Sequence, residues 1–415
     1  MAPPRVLALV LAGGAGSRLE LLTEHRAKGA VPVAGTHRLV DFALSSCAHS
    51  GISDVWVSVQ FHPASLAHHL ANGRPWDLDR TGGGLVVLPP HRGTPREGWH
   101  TGTADSQWRN ADLVRQHDPE VLLVMSSDSA CTLDLSDVVE DHLGSGAEAT
   151  MVVTRVAHEE ASRYGVVEVE EGPSPSSGPD EPSSVRVRRY EYKPEEPRSD
   201  LVTTEVFAFA PRQVLDRLEE LARAVRRGDD DAGDDDGGLG DLGHALLPGL
   251  AADGAARTHP QRGYWRDLGT VPAYWTAHQE LLGPEPPLDL DDPAWPVLTR
   301  GGRRGPARVM AGARVEHSLV SPGAVVAGEL RGSVLCPGAV VEEGAQVLDS
   351  VLLPGARVLA GARVERAIVD DGVVVGRGAR VGGPEDITLL GGAVRVHDGA
   401  HLPAGSRLPE PQPGR

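Results

Sequence analysis

Val6-Leu-Ala-Leu-Val-Leu-Ala-Gly-Gly-Ala-Gly-Ser-Arg-Leu19 is an apolar run that breaks into three glycines and then meets a cation. A continuous aliphatic stretch closed by glycine reads as a buried strand of a parallel sheet. Gly13, Gly14 and Gly16 let the backbone approach a phosphate chain closely, with successive N–H groups aimed at its oxygens. Arg18 adds a forked donor suited to the same anion. The spacing is not the dinucleotide fingerprint, because the third glycine is missing and Arg18 occupies the turn. Nor is it a Walker loop, since no Gly-Lys-Ser/Thr follows. A tight strand-to-helix turn without a ligand is the alternative to nucleotide binding.

Outward from this run, strands and helices alternate. Strand patterns fall at Val6–Leu11, Val55–Gln60, Val121–Met125, Ala149–Val156 and Val206–Phe209. Helical patterns lie around Leu39–Ser50, Pro63–Leu70, Asp105–Arg115 and Ser136–Gly144. The expected fold is α/β, Rossmann-like, with a mainly parallel sheet whose ligands gather at the carboxyl ends of the strands. Gly172–Ser184 reads as a surface loop or insertion, and the Pro-rich stretch from Gly283 to Pro306 as an interdomain linker.

Beyond the linker the texture changes. Gly338, Gly355 and Gly372 recur every 17 residues, as do Gly344, Gly361 and Gly378, and Ser333, Ser350 and Ala367. Each glycine opens a small-aliphatic unit such as Pro-Gly-Ala-Val-Val. A period one residue short of three hexapeptides predicts a three-sided parallel β-helix, with small residues at the corners and aliphatic residues filling the prism. Such prisms serve acyl transfer, but equally serve packing and oligomerisation. No histidine recurs within a coil, which favours the structural role.

The 415-residue length predicts two or three domains. A net charge of -18 argues against a nucleic-acid surface, which needs a basic stripe, and against adhesion to acidic lipid. The acidic run Asp229, Asp230, Asp231, Asp234, Asp235 and Asp236 reads as a solvated insertion rather than a calcium loop. Cys47, Cys131 and Cys336 lie far apart, which suits a reducing cytoplasm and excludes a cysteine-based zinc module. No charged leader ahead of a cleavable apolar run is expected, and no apolar stretch reaches the roughly 20 residues that cross a bilayer. A soluble, cytoplasmic protein with no membrane partner is expected.

Several polar residues could carry chemistry. Asp128 follows the strand Val121–Met125, where a carboxylate can hold Mg²⁺ against a phosphate or simply cap the next helix. Asp267 lies in Gly-Tyr-Trp-Arg-Asp-Leu-Gly-Thr, and two distant carboxylates would satisfy the sparse protein ligation of magnesium. Lys28 and Lys193 are candidate phosphate cations or plain surface lysines. The segment from Gly98 to Asp105 is a glycine-flanked loop entering a helix whose N-terminus can hold an anion or a base edge.

A set of segments resembles one family. Leu11-Ala-Gly-Gly-Ala-Gly-Ser-Arg-Leu19, Arg26-Ala-Lys28, Arg38-Leu-Val-Asp-Phe-Ala-Leu-Ser45 and Ser50-Gly-Ile52 come first. Gly102-Thr-Ala-Asp105, Lys193-Pro194, Tyr264-Trp-Arg-Asp-Leu-Gly-Thr-Val-Pro-Ala-Tyr-Trp275 and Leu288-Asp-Leu-Asp-Asp-Pro-Ala-Trp-Pro296 follow. In order and wording they are similar to the glucose-1-phosphate adenylyltransferases (ADP-glucose pyrophosphorylases), within the sugar-phosphate nucleotidyltransferases. The resemblance implies a nucleotidyltransferase domain over residues 1–282, a linker over 283–306, a left-handed β-helix over 307–400 and a tail over 401–415.

It also implies a reaction: a sugar phosphate oxygen attacks the α-phosphorus of ATP, and pyrophosphate leaves. With glucose 1-phosphate the product is ADP-glucose, for glycogen or a related glucan. Leu11, Ala12, Gly13, Gly14, Gly16, Gln60, Gly102 and Thr103 would bind the nucleotide. Arg18 and Lys28 would act on the triphosphate and the leaving pyrophosphate, and Asp128 and Asp267 would hold Mg²⁺. Lys193, Thr203, Thr204, Glu205 and Trp265 would face the sugar phosphate. A homotetramer assembled through the β-helix, under allosteric control, is expected on the same likeness.

The departures cluster on the sugar side. Ser127-Asp128-Ser129 stands for Gly-Asp-His, Tyr192 for the glutamate of Glu-Lys-Pro, and Thr203-Thr204-Glu205 for Ser-x-Gly. His100-Thr101 replaces Tyr-Arg, Gly29 replaces a proline, and His25 replaces a lysine. Two further readings follow from them: a catalytically weak regulatory or assembly paralogue, and an active enzyme for another sugar 1-phosphate.

Overall fold

The computed structural model describes residues 3–90, 98–170, 184–227, 238–302 and 304–410. The strand Val6–Ala12 lies at the centre of a nine-stranded sheet, parallel to Asp54–Val59 on one side and to Val121–Ser126 on the other. Gly84–Leu88 continues the parallel half. Beyond Val121–Ser126 the direction reverses with Leu201–Phe209, which also pairs antiparallel with Ala149–Arg155. Ala256–Pro260 joins parallel to the latter, and the hairpin Gly165–Val169/Val187–Tyr192 lies alongside. Successive residues of a strand face opposite sides, so Leu7, Leu9, Leu122 and Val124 build one apolar layer and Ala8, Val10, Leu123 and Met125 the other.

Two expectations change locally. The helix read at Asp105–Arg115 is two short helices, Thr103–Arg109 and Ala111–His117. Between them, Asn110 turns its side-chain amide onto the Ser106 carbonyl at 2.8 Å, and this local bond competes with a continuous helix. The helix Pro211–Arg227, absent from the sequence reading, lays Val214, Leu215, Leu218 and Ala222 against the sheet. The Gly172–Ser184 loop (apart from Ser184) and the Asp229–Asp236 run lie outside the described residues.

The segment expected as a linker is strapped down. Leu288 and Val297 are buried, Trp76 Nε1 donates to the Leu298 carbonyl at 3.2 Å, and Leu298 N–H donates to Ser45 Oγ at 2.9 Å. After it the chain winds into three six-stranded parallel sheets, a parallel β-helix. Val340 pairs with Arg357 and Arg357 with Val374, so one turn of the prism is the 17-residue repeat of the sequence. The recurring glycines from Gly338 to Gly378 turn the corners at φ between 63° and 76°, a region costly for any other residue. Ser333 and Ser350 are fully buried and form a ladder, each Oγ accepting the backbone N–H of the next coil at 3.0 Å.

The prism runs further than expected. His401–Leu402 and Arg407–Leu408 pair with the preceding coil, so residues placed in a tail belong to the last turn. The repeat is hidden there because Ala367 pairs with Thr388, a longer step that admits the extra loop before Ile387. On the outside, Arg314, Glu329, Gln346, Arg363, Arg380 and His401 stand in one file. Within it Gln346 donates to Glu329 at 2.8 Å and accepts from Arg363 at 2.9 Å.

The prism packs against the α/β domain. Leu21, Val31, Phe42 and Tyr274 form one apolar cluster with Val334, Val351, Ile368 and Leu389. Polar contacts border it: Arg26 Nη1 to Asp370 Oδ1 at 2.6 Å, and Arg407 Nε to Glu20 Oε2 at 2.5 Å.

Candidate active site

A cleft of about 690 Å³ opens at the carboxyl ends of Val6–Ala12, Asp54–Val59 and Val121–Ser126. Leu11, Ala12, Gly13, Gly14 and Arg18 line it, as the glycine loop predicts. The three glycines differ in what they do. A side-chain carbon on Gly14 would meet no protein atom within 4 Å, so this part of the loop is open to a ligand. One on Gly16 would come within 2.8 Å of the Thr23 methyl, at a φ of 71°; Gly16 makes the turn. Arg18 is exposed and makes no hydrogen bond or ion pair among the described residues.

The acidic pair is brought together by a small antiparallel ladder. Ser129–Cys131 pairs with Trp265–Asp267, setting Asp267 beside Ser129, and Leu268 N–H donates to the Asp128 carbonyl at 3.0 Å. Lys28 forms a buried ion pair with Asp128, which also accepts from Ser126 Oγ. A side-chain carbon at Gly269 would lie 2.8 Å from Asp267 Oδ1, 3.2 Å from Arg18 and 3.2 Å from Lys28 Nζ. Two cations and a carboxylate thus converge on Gly269, which its sequence context does not single out.

The charges shape one another. Burial alone would lower the Lys28 ammonium, but Asp128 and Asp267 hold it above its ordinary range. Burial would raise Asp128, and Lys28 keeps it below the usual carboxylate value. Asp267 is raised, by burial first and then by Asp128. Among the described residues no group of three or more His, Cys, Asp or Glu is placed to hold a metal. The donors available are the two carboxylates, an oxygen set of the sparse kind that magnesium takes when phosphates and waters complete its shell.

On the expected nucleotide side, three residues are tied into the protein itself. The Gln60 carboxamide donates to the His100 carbonyl at 3.0 Å and accepts its N–H at 2.7 Å. Gly102 lies against backbone, since a side-chain carbon there would be 2.1 Å from the Gly240 carbonyl carbon. Thr103 donates from both N–H and Oγ1 to Asp241. All three line the cleft, yet their visible work is to join the loop around His100 to that around Asp241. The N-terminus of Thr103–Arg109 is likewise occupied: the Gly240 carbonyl accepts from Ala104 N–H at 3.0 Å.

The expected sugar side is divided. Lys193, Thr203 and Glu205 line the cleft; Thr204 and Trp265 do not. Thr204 Oγ1 donates to the Val152 carbonyl at 3.2 Å, and the Trp265 ring packs edge-on against Tyr164 at 5.3 Å. Lys193 Nζ donates to Tyr192 Oη at 2.7 Å and lies 4.3 Å from that ring's centre. Glu205 is half-buried, and its acid is pushed up to about 7 by burial, then by Asp128 and Asp267. Both Lys193 (φ 49°) and Glu205 (φ 59°) hold left-handed backbone, a strain of the kind that gathers at functional sites.

Sequence reasoning missed the aromatic lip. Phe61 and Trp99 are exposed, stack at 6.2 Å with planes 15° apart, and both line the cleft. The glycine before Trp99 was the available signal. Tyr190 and Asp241, also in the lining, carry none that a single chain displays.

Comparison with known proteins agrees with this architecture. Residues 7–283 match the "Nucleotidyl transferase" family, and residues 306–402 match "GlmU-like, C-terminal hexapeptide", consistent with a left-handed prism. Among curated relatives, the glucose-1-phosphate adenylyltransferases of Bacillus cereus (strain Q1) and Bacillus anthracis are each 36% identical over 85% of this chain and 88% of their own. That of Bacillus cytotoxicus is 36% identical over 84% and 87%. Among the described residues no helix is long and apolar enough to cross a membrane. With the glycine loop, the paired carboxylates and the hexapeptide prism in this order, the chain belongs to the nucleotidyl transferase family.

Proposed function

We propose that this chain transfers the adenylyl group of ATP to a sugar 1-phosphate and releases pyrophosphate, as the names of its relatives indicate for glucose 1-phosphate. The observation that carries the reading is the convergence of Arg18, Lys28, Asp128 and Asp267 beside an open glycine loop. A phosphate oxygen of the sugar forms a bond to the α-phosphorus, and the bond from that phosphorus to the β-phosphate bridging oxygen breaks. Such a displacement needs alignment and charge neutralisation more than a proton-transfer group.

The glycine loop would cradle the triphosphate, with Arg18 at its outer oxygens. Lys28 would balance the charge that builds on the departing pyrophosphate, and Lys193 would take the sugar phosphate. Asp128 and Asp267 would hold Mg²⁺, which when bound supplies a positive centre shared by the phosphates. On the same likeness we place the protein in the cytoplasm, in glucan synthesis, as a metabolite-controlled homotetramer assembled through the prism.

The test is pyrophosphate release from ATP, Mg²⁺ and a panel of sugar 1-phosphates. Turnover that falls at least about 100-fold in Asp128→Asn supports the reading. Silence across the panel, with ATP binding intact, sinks it in favour of a regulatory or assembly subunit.

A further inference from the structure

Adenylyl transfer as derived above makes no use of Glu205. Its side chain lines the cleft, half-buried, and has no hydrogen bond or ion pair among the described residues. The nearby cations Lys28 and Lys193 act on it only at a distance, each in direct contact with another group: Lys28 with Asp128, and Lys193 with the ring and hydroxyl of Tyr192. Two more carboxylates, Asp128 and Asp267, act on the same space.

The backbone underlines the point. Thr203 pairs with Val153 and Phe207 with Met151, so the residues from Thr204 to Val206 bulge opposite Val152. Glu205 sits in that bulge at a φ of 59°, where glycine would be unstrained. A strained residue that directs an acid with no hydrogen bond or ion pair into a cleft has no evident purpose within the fold itself.

The complement of such a carboxylate is positive. A sugar phosphate must keep its anion at the end lined by Lys193. A neutral sugar would then close over Glu205 and leave its acid without a partner, whereas an ammonium would hold it as the carboxylate and pair with it. We propose that Glu205 selects the acceptor, and that the sugar 1-phosphate activated by this chain carries an amino group paired with the Glu205 carboxylate. The inference rests on the adenylyl-transfer reading; the bonds made and broken are those given above.

The test compares glucosamine 1-phosphate, N-acetylglucosamine 1-phosphate and glucose 1-phosphate, each with ATP and Mg²⁺, by steady-state pyrophosphate release. The wild-type chain is expected to show its highest kcat/KM with glucosamine 1-phosphate and to discriminate against the acetylated form, which has lost the charge. Glu205→Gln, which keeps the size, should lower kcat/KM for glucosamine 1-phosphate on the order of 30-fold relative to glucose 1-phosphate. Glu205→Gly, which suits the backbone, should move the preference to glucose 1-phosphate. A wild-type preference for glucose 1-phosphate that Glu205→Gln leaves unchanged would overturn the inference while adenylyl transfer stands. No release with any of the three overturns both.

Discussion

Arg26 Nη1 and Asp370 Oδ1 meet at 2.6 Å, joining the α/β domain to the prism through a pair that is almost wholly buried. Burial alone would lower the Arg26 guanidinium, and Asp370 with Asp371 more than reverses that. Two residues further on, Lys28 enters the cleft. Arg26→Ala would leave Asp370 charged and unpaired, a loss of about 3 kcal/mol by the behaviour of broken buried pairs. Urea unfolding measures it. The exposed pair Arg212–Asp118 is the control, and Arg212→Ala should leave the unfolding midpoint close to that of the wild type.

Gly102 and Gly14 should separate folding from binding. Gly102→Ala drives a methyl into the backbone of Gly240 and Asp241, where no flexible side chain can give way. A loss of about 2 kcal/mol or more is expected in thermal unfolding. Gly14→Ala meets no protein atom, so its melting temperature should stay near the wild-type value while calorimetry shows weaker ATP binding. Equal stability losses in both would contradict the division of roles within the loops.

Glu205→Gly should also stabilise the fold. It removes a half-buried acid and relieves a left-handed conformation, against the added chain entropy of glycine. A net gain of about 1 kcal/mol is expected, read as a rise in melting temperature. A fall would mean that the bulge depends on the glutamate side chain.

Acid should weaken the protein through two buried histidines. His278 Nδ1–H donates to the Tyr274 carbonyl at 2.8 Å, and its Nε2 accepts Ala34 N–H at 3.1 Å, which requires the neutral ring. Burial lowers both His278 and His142 to about 4. An unfolded chain protonates near pH 6.5, so it binds protons first as pH falls. Stability should therefore decline between about pH 6.5 and 4 and level off below, by up to roughly 3 kcal/mol for each ring. His142→Leu should flatten part of that slope in denaturation series.

The prism was legible because each coil asks the same of the same position: Gly355 and Gly372 turn one corner, and Ser333 and Ser350 stack at another. The glycine loop was legible because backbone that must approach an anion tolerates few residue types. The meeting of Asp128 with Asp267 could not be read by spacing, since a ladder between distant segments creates it. Gly102 carried a visible glycine signal whose cause was hidden: its neighbour is Gly240, not a ligand. The bulge at Glu205 depends on register against Met151 and Val153, which no local pattern reveals. Pro211–Arg227 differs, because its apolar stripe of Val214, Leu215, Leu218 and Ala222 has helical spacing and is legible in the chain.

The file of outward residues on the prism, with Gln346 between Glu329 and Arg363, makes chemistry vertical there. The residues that sense a substitution at Gln346 are those one turn above and one turn below. A carboxamide is suited to the middle because it offers a donor to the acid and an acceptor to the base. Changing it to either charge would set like against like on one side. The surface of this domain can therefore vary by whole columns more readily than by single sites.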